Sequence, residues 1–158
     1  MQKTSMDHSC VRDYVNQYGR LRDVQYAAFE RYARRRGLTA KELFVLDIIW
    51  FSPEGCLQSD ICQRLSATKQ TVSAIVQKFR RQGYLTLTES ETDRRSNVIR
   101  LTPAGKAYAG DIILPAAKAE IDAMSRLAPE DIAQLVRLTA LFSRHMEEIF
   151  GGIQEARA

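Results

Sequence analysis

The chain has 158 residues, a formal net charge of +4, 45% hydrophobic and 27% charged residues, which supplies one domain-sized core at the usual ~100–150 residues per domain and excludes wholesale disorder. No apolar run reaches the ~18–20 residues that cross a bilayer, the start Met1-Gln2-Lys3-Thr4-Ser5 has no apolar signal core, and a soluble cytoplasmic protein with no membrane partner is expected. Cys10, Cys56 and Cys62 form no framework spacing and only His8 and His145 are present, which argues against a disulfide scaffold, a metal site and an acid–base enzyme.

In chain order, Val11, Tyr14, Val15, Tyr18, Leu21, Ala28, Phe29 and Tyr32 repeat at helical spacing and predict a long first helix. Arg34, Arg35 and Arg36 before Gly37 suit its C-terminal end, where cations meet the negative end of the dipole and glycine accepts the left-handed cap. Thr39-Ala40-Lys41-Glu42 is a capping box. It opens a second helix through Leu43, Leu46, Ile49 and Trp50, which Ser52-Pro53-Glu54-Gly55 ends. A short third helix, roughly Ser59 to Leu65, buries Ile61, Cys62 and Leu65. After a tight turn at Ser66-Ala67, Thr68 caps a fourth helix. In it, Val72, Ile75, Val76 and Phe79 form an apolar stripe, and Gly83 closes it. A short helix, a turn and a polar-faced helix in that order make a helix-turn-helix.

Tyr84 to Thr88 reads as a strand, Glu89 to Ser96 as a polar tip, and Asn97 to Leu101 as the returning strand. A hairpin in this place is a wing. Thr102 caps the next helix with Pro103 at its first position. That helix either runs to about Leu127 with a bend at Pro115 or restarts there. A last helix begins at Pro129-Glu130-Asp131, carries the stripe Ile132, Leu135, Val136, Phe142, Met146 and Ile149, and is expected to stop at Gly151-Gly152.

Charge is concentrated. Arg64, Lys69, Lys78, Arg80, Arg81, Arg94, Arg95 and Arg100 face only Glu89, Glu91 and Asp93 between residues 64 and 100, a net of +5. That excess is what a phosphate backbone selects. On the fourth helix, Gln70 suits adenine N6 and N7, Lys69 reaches guanine or phosphate, and Ser73 offers a hydroxyl. Ala74 permits close approach and Gln77 lies one turn further, with Lys78 beside it. Thr68 and Thr71 fit capping and phosphate roles. At the wing tip, Arg94 and Arg95 suit a narrow minor groove, with Asp93 holding one of them. Double-stranded DNA is the expected partner.

These residues resemble the MarR family of winged-helix regulators. Three motifs carry the likeness: Ser59-Asp60-Ile61-Cys62-Gln63-Arg64-Leu65 leading into Thr68-Lys69-Gln70-Thr71-Val72-Ser73; the helix end Arg81-Gln82-Gly83-Tyr84-Leu85; and Asp93-Arg94-Arg95 followed by Ile99-Arg100-Leu101-Thr102-Pro103-Ala104-Gly105. The resemblance implies that Lys69, Gln70 and Ser73 contact bases and that Arg95, partnered by Asp93, enters the minor groove. It also implies that the first and last helices pair two subunits, and that a small molecule, often phenolic, or an oxidant controls the spacing of the two winged domains.

The expected architecture is mainly α: a winged helix-turn-helix domain over residues 38–115, flanked by dimerisation helices over 1–37 and 116–158. The expected function is a ligand-responsive repressor without a cofactor, acting as a homodimer on a pseudo-palindrome. Tyr32 and Trp50 are candidate effector contacts between the first two helices, the helix after the wing and the DNA-binding domain. The competing readings are a winged-helix protein adaptor, a thiol-based redox regulator and, least favoured, a small enzyme.

Overall fold

The computed structural model describes residues 7–89 and 97–155, with side chains as far as Ile153. The elements run α1 (His8–Arg35), α2 (Ala40–Trp50), β1 (Cys56–Leu57), α3 (Gln58–Leu65), α4 (Lys69–Arg81), β2 (Leu85–Glu89), β3 (Asn97–Leu101), α5 (Pro103–Met124) and α6 (Pro129–Glu155). The chain is mainly helical, with one three-stranded antiparallel sheet in the order β1-β3-β2. It forms two compact units, Met1–Leu114 and Pro115–Ala158.

The helix ends follow from local chemistry. Gly37 has φ +71°; its N–H donates to the Arg34 carbonyl at 3.1 Å and the Leu38 N–H to that of Ala33 at 2.9 Å, a Schellman closure that satisfies the last carbonyls of α1. The capping box at α2 is complete: Thr39 Oγ1 accepts the Glu42 N–H at 3.2 Å and Glu42 Oε2 accepts the Thr39 N–H at 2.9 Å. The other Glu42 oxygen takes Lys78 Nζ of α4 at 2.7 Å. Burial raises the Glu42 carboxyl, but the Lys78 hydrogen bond and the Thr39 amide outweigh it and hold the pKa below the ordinary glutamate value. A carboxyl held low when folded adds stability at neutral pH and loses it as pH falls through that depressed value. Glu42→Gln keeps an acceptor but loses the charge. It is expected to cost about 1 kcal/mol at pH 7, a cost that shrinks as pH falls through the depressed carboxyl value. Thermal unfolding followed by circular dichroism across an acid pH series checks this; a loss that does not change with pH would remove the ion pair as the cause.

In the first unit, α2, α3, α4, the sheet and the first half of α5 enclose one core. Phe79, Leu46, Ile49, Ile61, Ile99, Ile113, Val45, Val72 and Val76 are its largest fully buried side chains. Phe29 and Tyr32 of α1 pack against it. Ser66, with φ 46°, takes the left-handed cap of α3, its N–H donating to Gln63 O at 3.3 Å and the Ala67 N–H to Cys62 O at 3.0 Å. That conformation costs a non-glycine residue ~1 kcal/mol, and it turns the chain sharply into α4.

Several boundaries differ from the sequence reading. Strand β1 is absent from it: two residues cannot show an alternation, and Cys56 and Leu57 are strand only because they pair with Ile99 and Val98. Leu57 also precedes α3, which starts at Gln58 because the Asp60 carboxylate accepts the Leu57 N–H at 2.9 Å. Tyr84 lies outside β2, since its N–H closes α4 on Phe79 O and its carbonyl accepts the Thr102 N–H, both at 3.0 Å. Helix α5 passes through Pro115 without restarting. Proline has no N–H to give the carbonyl one turn back, that of Asp111, and both residues lie on the exposed side of the helix, where the loss costs least.

In the second unit, α6 continues through Gly151 and Gly152 to Glu155. Neither glycine has a positive φ, so the pair costs ~1 kcal/mol per glycine without forming a stop. At the other end, the Ala128 carbonyl receives the Asp131 and Ile132 N–H groups at 3.0 Å, and Glu130 and Asp131 supply the acidic first turn.

Candidate nucleic-acid interface

Helix α4 spans 13 residues and buries Val72, Ile75, Val76 and Phe79. At 3.6 residues per turn the opposite face carries Gln70, Ala74, Gln77 and Arg81. Gln70, Ala74 and Arg81 are exposed, and Gln77 is half-buried. Exposed Lys69 and half-buried Ser73 occupy one flank; Thr71 and Lys78 occupy the other. Thr68 Oγ1 accepts the Thr71 N–H at 3.2 Å, and the two hydroxyls share a 2.9 Å hydrogen bond, so both threonines serve the cap. Gln58 Nε2 of α3 donates to the Lys69 carbonyl at 3.1 Å, tying the start of α4 to the preceding helix. The helix thus presents amide, hydroxyl, methyl and guanidinium groups from a fixed end, the chemistry that reads base edges.

The structure divides the expected contacts. Lys69, Gln70, Ser73, Ala74 and Gln77 come together on one accessible surface. Lys78 is tied to Glu42, with its Nζ also 5.9 Å from the Phe79 ring centroid, so it braces α4 against α2. Asp93, Arg94 and Arg95 lie outside the described residues. Arg81, which the sequence reading did not place on this surface, shares the face, as the i, i+4, i+7, i+11 spacing from Gln70 shows. Arg100 of the basic segment lies on β3, where its Nη1 donates to Thr88 Oγ1 on β2 at 2.8 Å.

The base of the wing is locked to α5. Thr102 Oγ1 donates to the Gly83 carbonyl at 2.7 Å and accepts the Gly105 N–H at 2.9 Å. The Tyr84 and Tyr108 rings stack with centroids 4.1 Å apart and planes 8° apart. Burial, then the neighbouring Tyr84, raises the Tyr108 phenol above its ordinary pKa.

A cleft of about 460 Å³ opens between α3, the start of α4 and the sheet, lined by Leu57, Gln58, Ser59, Cys62, Lys69, Leu87, Asn97 and Ile99. Tyr32 and Trp50 do not line it. The Tyr32 hydroxyl donates to the Ile112 carbonyl at 2.6 Å, and a Cβ on Gly110 would stand 3.2 Å from the Trp50 ring; both side chains pack against the core. Cys56 is buried, which pushes its thiol up and away from the reactive thiolate. Cys10 is exposed and Cys62 half-buried. Among the described residues no helix is long and apolar enough to cross a membrane.

Residues 36–96 match the model of the MarR family. A protein of Thauera aromatica, assigned as transcriptional regulator for the hcr operon, is 25% identical over 139 residues, which cover 85% of this chain and 83% of that one. The solved structure of NMB1585, a MarR family regulator from Neisseria meningitidis, superposes with a TM-score of 0.75 at 23% identity, covering 87% of this chain and 96% of that one. MepR of Staphylococcus aureus in complex with DNA gives 0.66 at 22% identity, covering 80% and 97%. At these identities the structural likenesses carry the fold.

Proposed function

We propose that this chain, whose winged-helix domain belongs to the MarR family of DNA-binding transcriptional regulators, is a homodimeric, ligand-responsive repressor of a pseudo-palindromic operator. The observation that carries the reading is the α4 surface. Gln70, Ala74 and Gln77 stand opposite a buried stripe and Lys69 and Ser73 flank them, on a helix capped at its start and anchored to α3. That MepR is seen with DNA supports the same docking for this fold. Arg95, partnered by Asp93, is assigned to the minor groove, and Lys69, Gln70 and Ser73 to the bases.

Pairing follows from what a lone chain exposes. Helix α1 shows Val11, Tyr14, Val15, Tyr18, Leu21 and Val24 to solvent, and α6 shows Leu135, Val136, Leu138, Leu141, Ile149 and Phe150. Contiguous apolar faces of this extent mark an interface, and a two-fold dimer buries like against like. The effector is a small phenolic molecule. The cleft beside Lys69 supports this part of the reading, because it offers Leu57, Leu87 and Ile99 as apolar walls and one cation at its rim.

The test is a mobility shift on duplexes selected by the protein from a random-sequence pool, run from 50 to 200 mM salt, with the mass measured by light scattering. The expected result is a dimer binding two half-sites about one helical turn (~10 bp) apart, with affinity falling at least ~10³-fold over that salt range for six or more phosphate contacts. A phenolic acid should release the complex. A monomer indifferent to duplex would favour the protein-adaptor reading.

A further inference from the structure

We infer that the corner where α1 ends and α2 begins is a second phosphate-binding patch, in which Arg35, Arg36 and Lys41 grip the DNA backbone beside the groove occupied by α4; this rests on the DNA-binding reading above. Residues 30–42 hold Arg31, Arg34, Arg35, Arg36 and Lys41 against Glu30 and Glu42, a net of +3. Both carboxylates are engaged. Glu30 Oε1 takes Arg34 Nε at 2.9 Å and its Oε2 accepts the Ala40 N–H at 2.8 Å. Glu42 takes Lys78 Nζ and the Thr39 N–H. Arg35, Arg36 and Lys41 are exposed, and none of the three forms an ion pair among the described residues.

The fold itself accounts for only one of these three charges. A cation in the last turn of α1 favours the negative end of that dipole, which covers Arg35. Lys41 sits in the first turn of α2, at the positive end, where a cation is disfavoured. Arg36 lies past the end of α1, with its guanidinium 5.6 Å from the Tyr32 ring centroid. Clustered, unpaired like charges repel one another and create a field that an external polyanion relieves.

The placement relative to α4 supplies the second argument. The Glu42–Lys78 ion pair sets the first turn of α2 against one flank of α4, the flank away from Lys69 and Ser73. A helix with its side chains is ~10–12 Å wide and the major groove ~12 Å, so whatever stands against the flank of a helix in that groove stands over a phosphate ridge.

The test compares full-length wild type with R35Q/R36Q/K41Q and with the charge-retaining R35K/R36K/K41R, on a duplex selected from a random pool and on a scrambled duplex. The expected result for the glutamine variant is a log-affinity against log-salt slope shallower by about 3 for each protomer on the DNA, and roughly tenfold or more weaker binding near 0.15 M salt. The ratio of selected to scrambled affinity should stay unchanged, and the charge-retaining variant should restore both slope and affinity. Circular dichroism melting confirms that both variants fold. A folded glutamine variant with an unchanged slope, while wild type binds with salt-dependent affinity, overturns the patch and leaves the DNA-binding reading standing. A changed selected-to-scrambled ratio also overturns it, by assigning these residues to base readout. Absence of salt-sensitive duplex binding by wild type removes both readings together.

Discussion

Gly105→Ala is expected to lower the stability of the first unit by about 3 kcal/mol, the upper end of what overpacking costs, which for a unit of this size is a fall in Tm of more than ~10 °C. A Cβ at Gly105 would lie 1.9 Å from the Tyr84 carbonyl oxygen, 2.8 Å from its carbon and 3.1 Å from its Cα. Most tight contacts relax by a side-chain rotation; this one is with backbone. That backbone is held from three directions. The Tyr84 N–H closes α4, its carbonyl receives the Thr102 N–H, and its ring stacks on Tyr108. Relief requires either lifting the first turn of α5 or moving the start of the wing. The exposed neighbour Lys106→Ala serves as the control and should leave Tm within ~2 °C. A Gly105→Ala protein as stable as that control would show that α5 is not pressed onto the wing base.

Gln70→Ala is expected to cost about 1–3 kcal/mol of discrimination, a 5- to 150-fold loss confined to one base position in each half-site. The side chain is exposed on the centre line of α4, so its removal disturbs no packing. Binding to unrelated duplex should be unaffected, because phosphate contacts supply that affinity. Arg95→Ala should do the reverse, weakening all duplexes and reducing the salt slope by about 1 per protomer. Competition binding against a panel of single-base operator variants separates the two. Uniform loss on every sequence for Gln70→Ala would remove it from base readout.

The legible parts of this protein share a property: their cause lies within a few residues. The Thr39–Glu42 capping box, the Gly37 and Gly83 closures and the Val72–Phe79 stripe are all i, i+3 or i+4 relationships, and each appears in the structure as read. The same holds for the order of turn, polar-faced helix and hairpin, which falls within the match to the MarR family model over residues 36–96. Where the reading departed, the cause was either distant or conformational. Gly151 and Gly152 look like a stop in sequence, yet glycine ends a helix only where φ turns positive.

What the sequence determined alone was therefore the helices and the hairpin, the polar face of α4 and the concentration of charge, because helix periodicity and capping are written in near neighbours. The tertiary structure decided the rest. It gave β1 a partner in β3 43 residues away by the Cys56–Ile99 pairing, and it committed Lys78 to Glu42 rather than leaving it a bare cation. It also drew Tyr32 to Ile112 and against the core, and pressed Gly105 onto Tyr84. Each of these depends on which surfaces the burial of the common core brings into contact, and no local pattern carries that information.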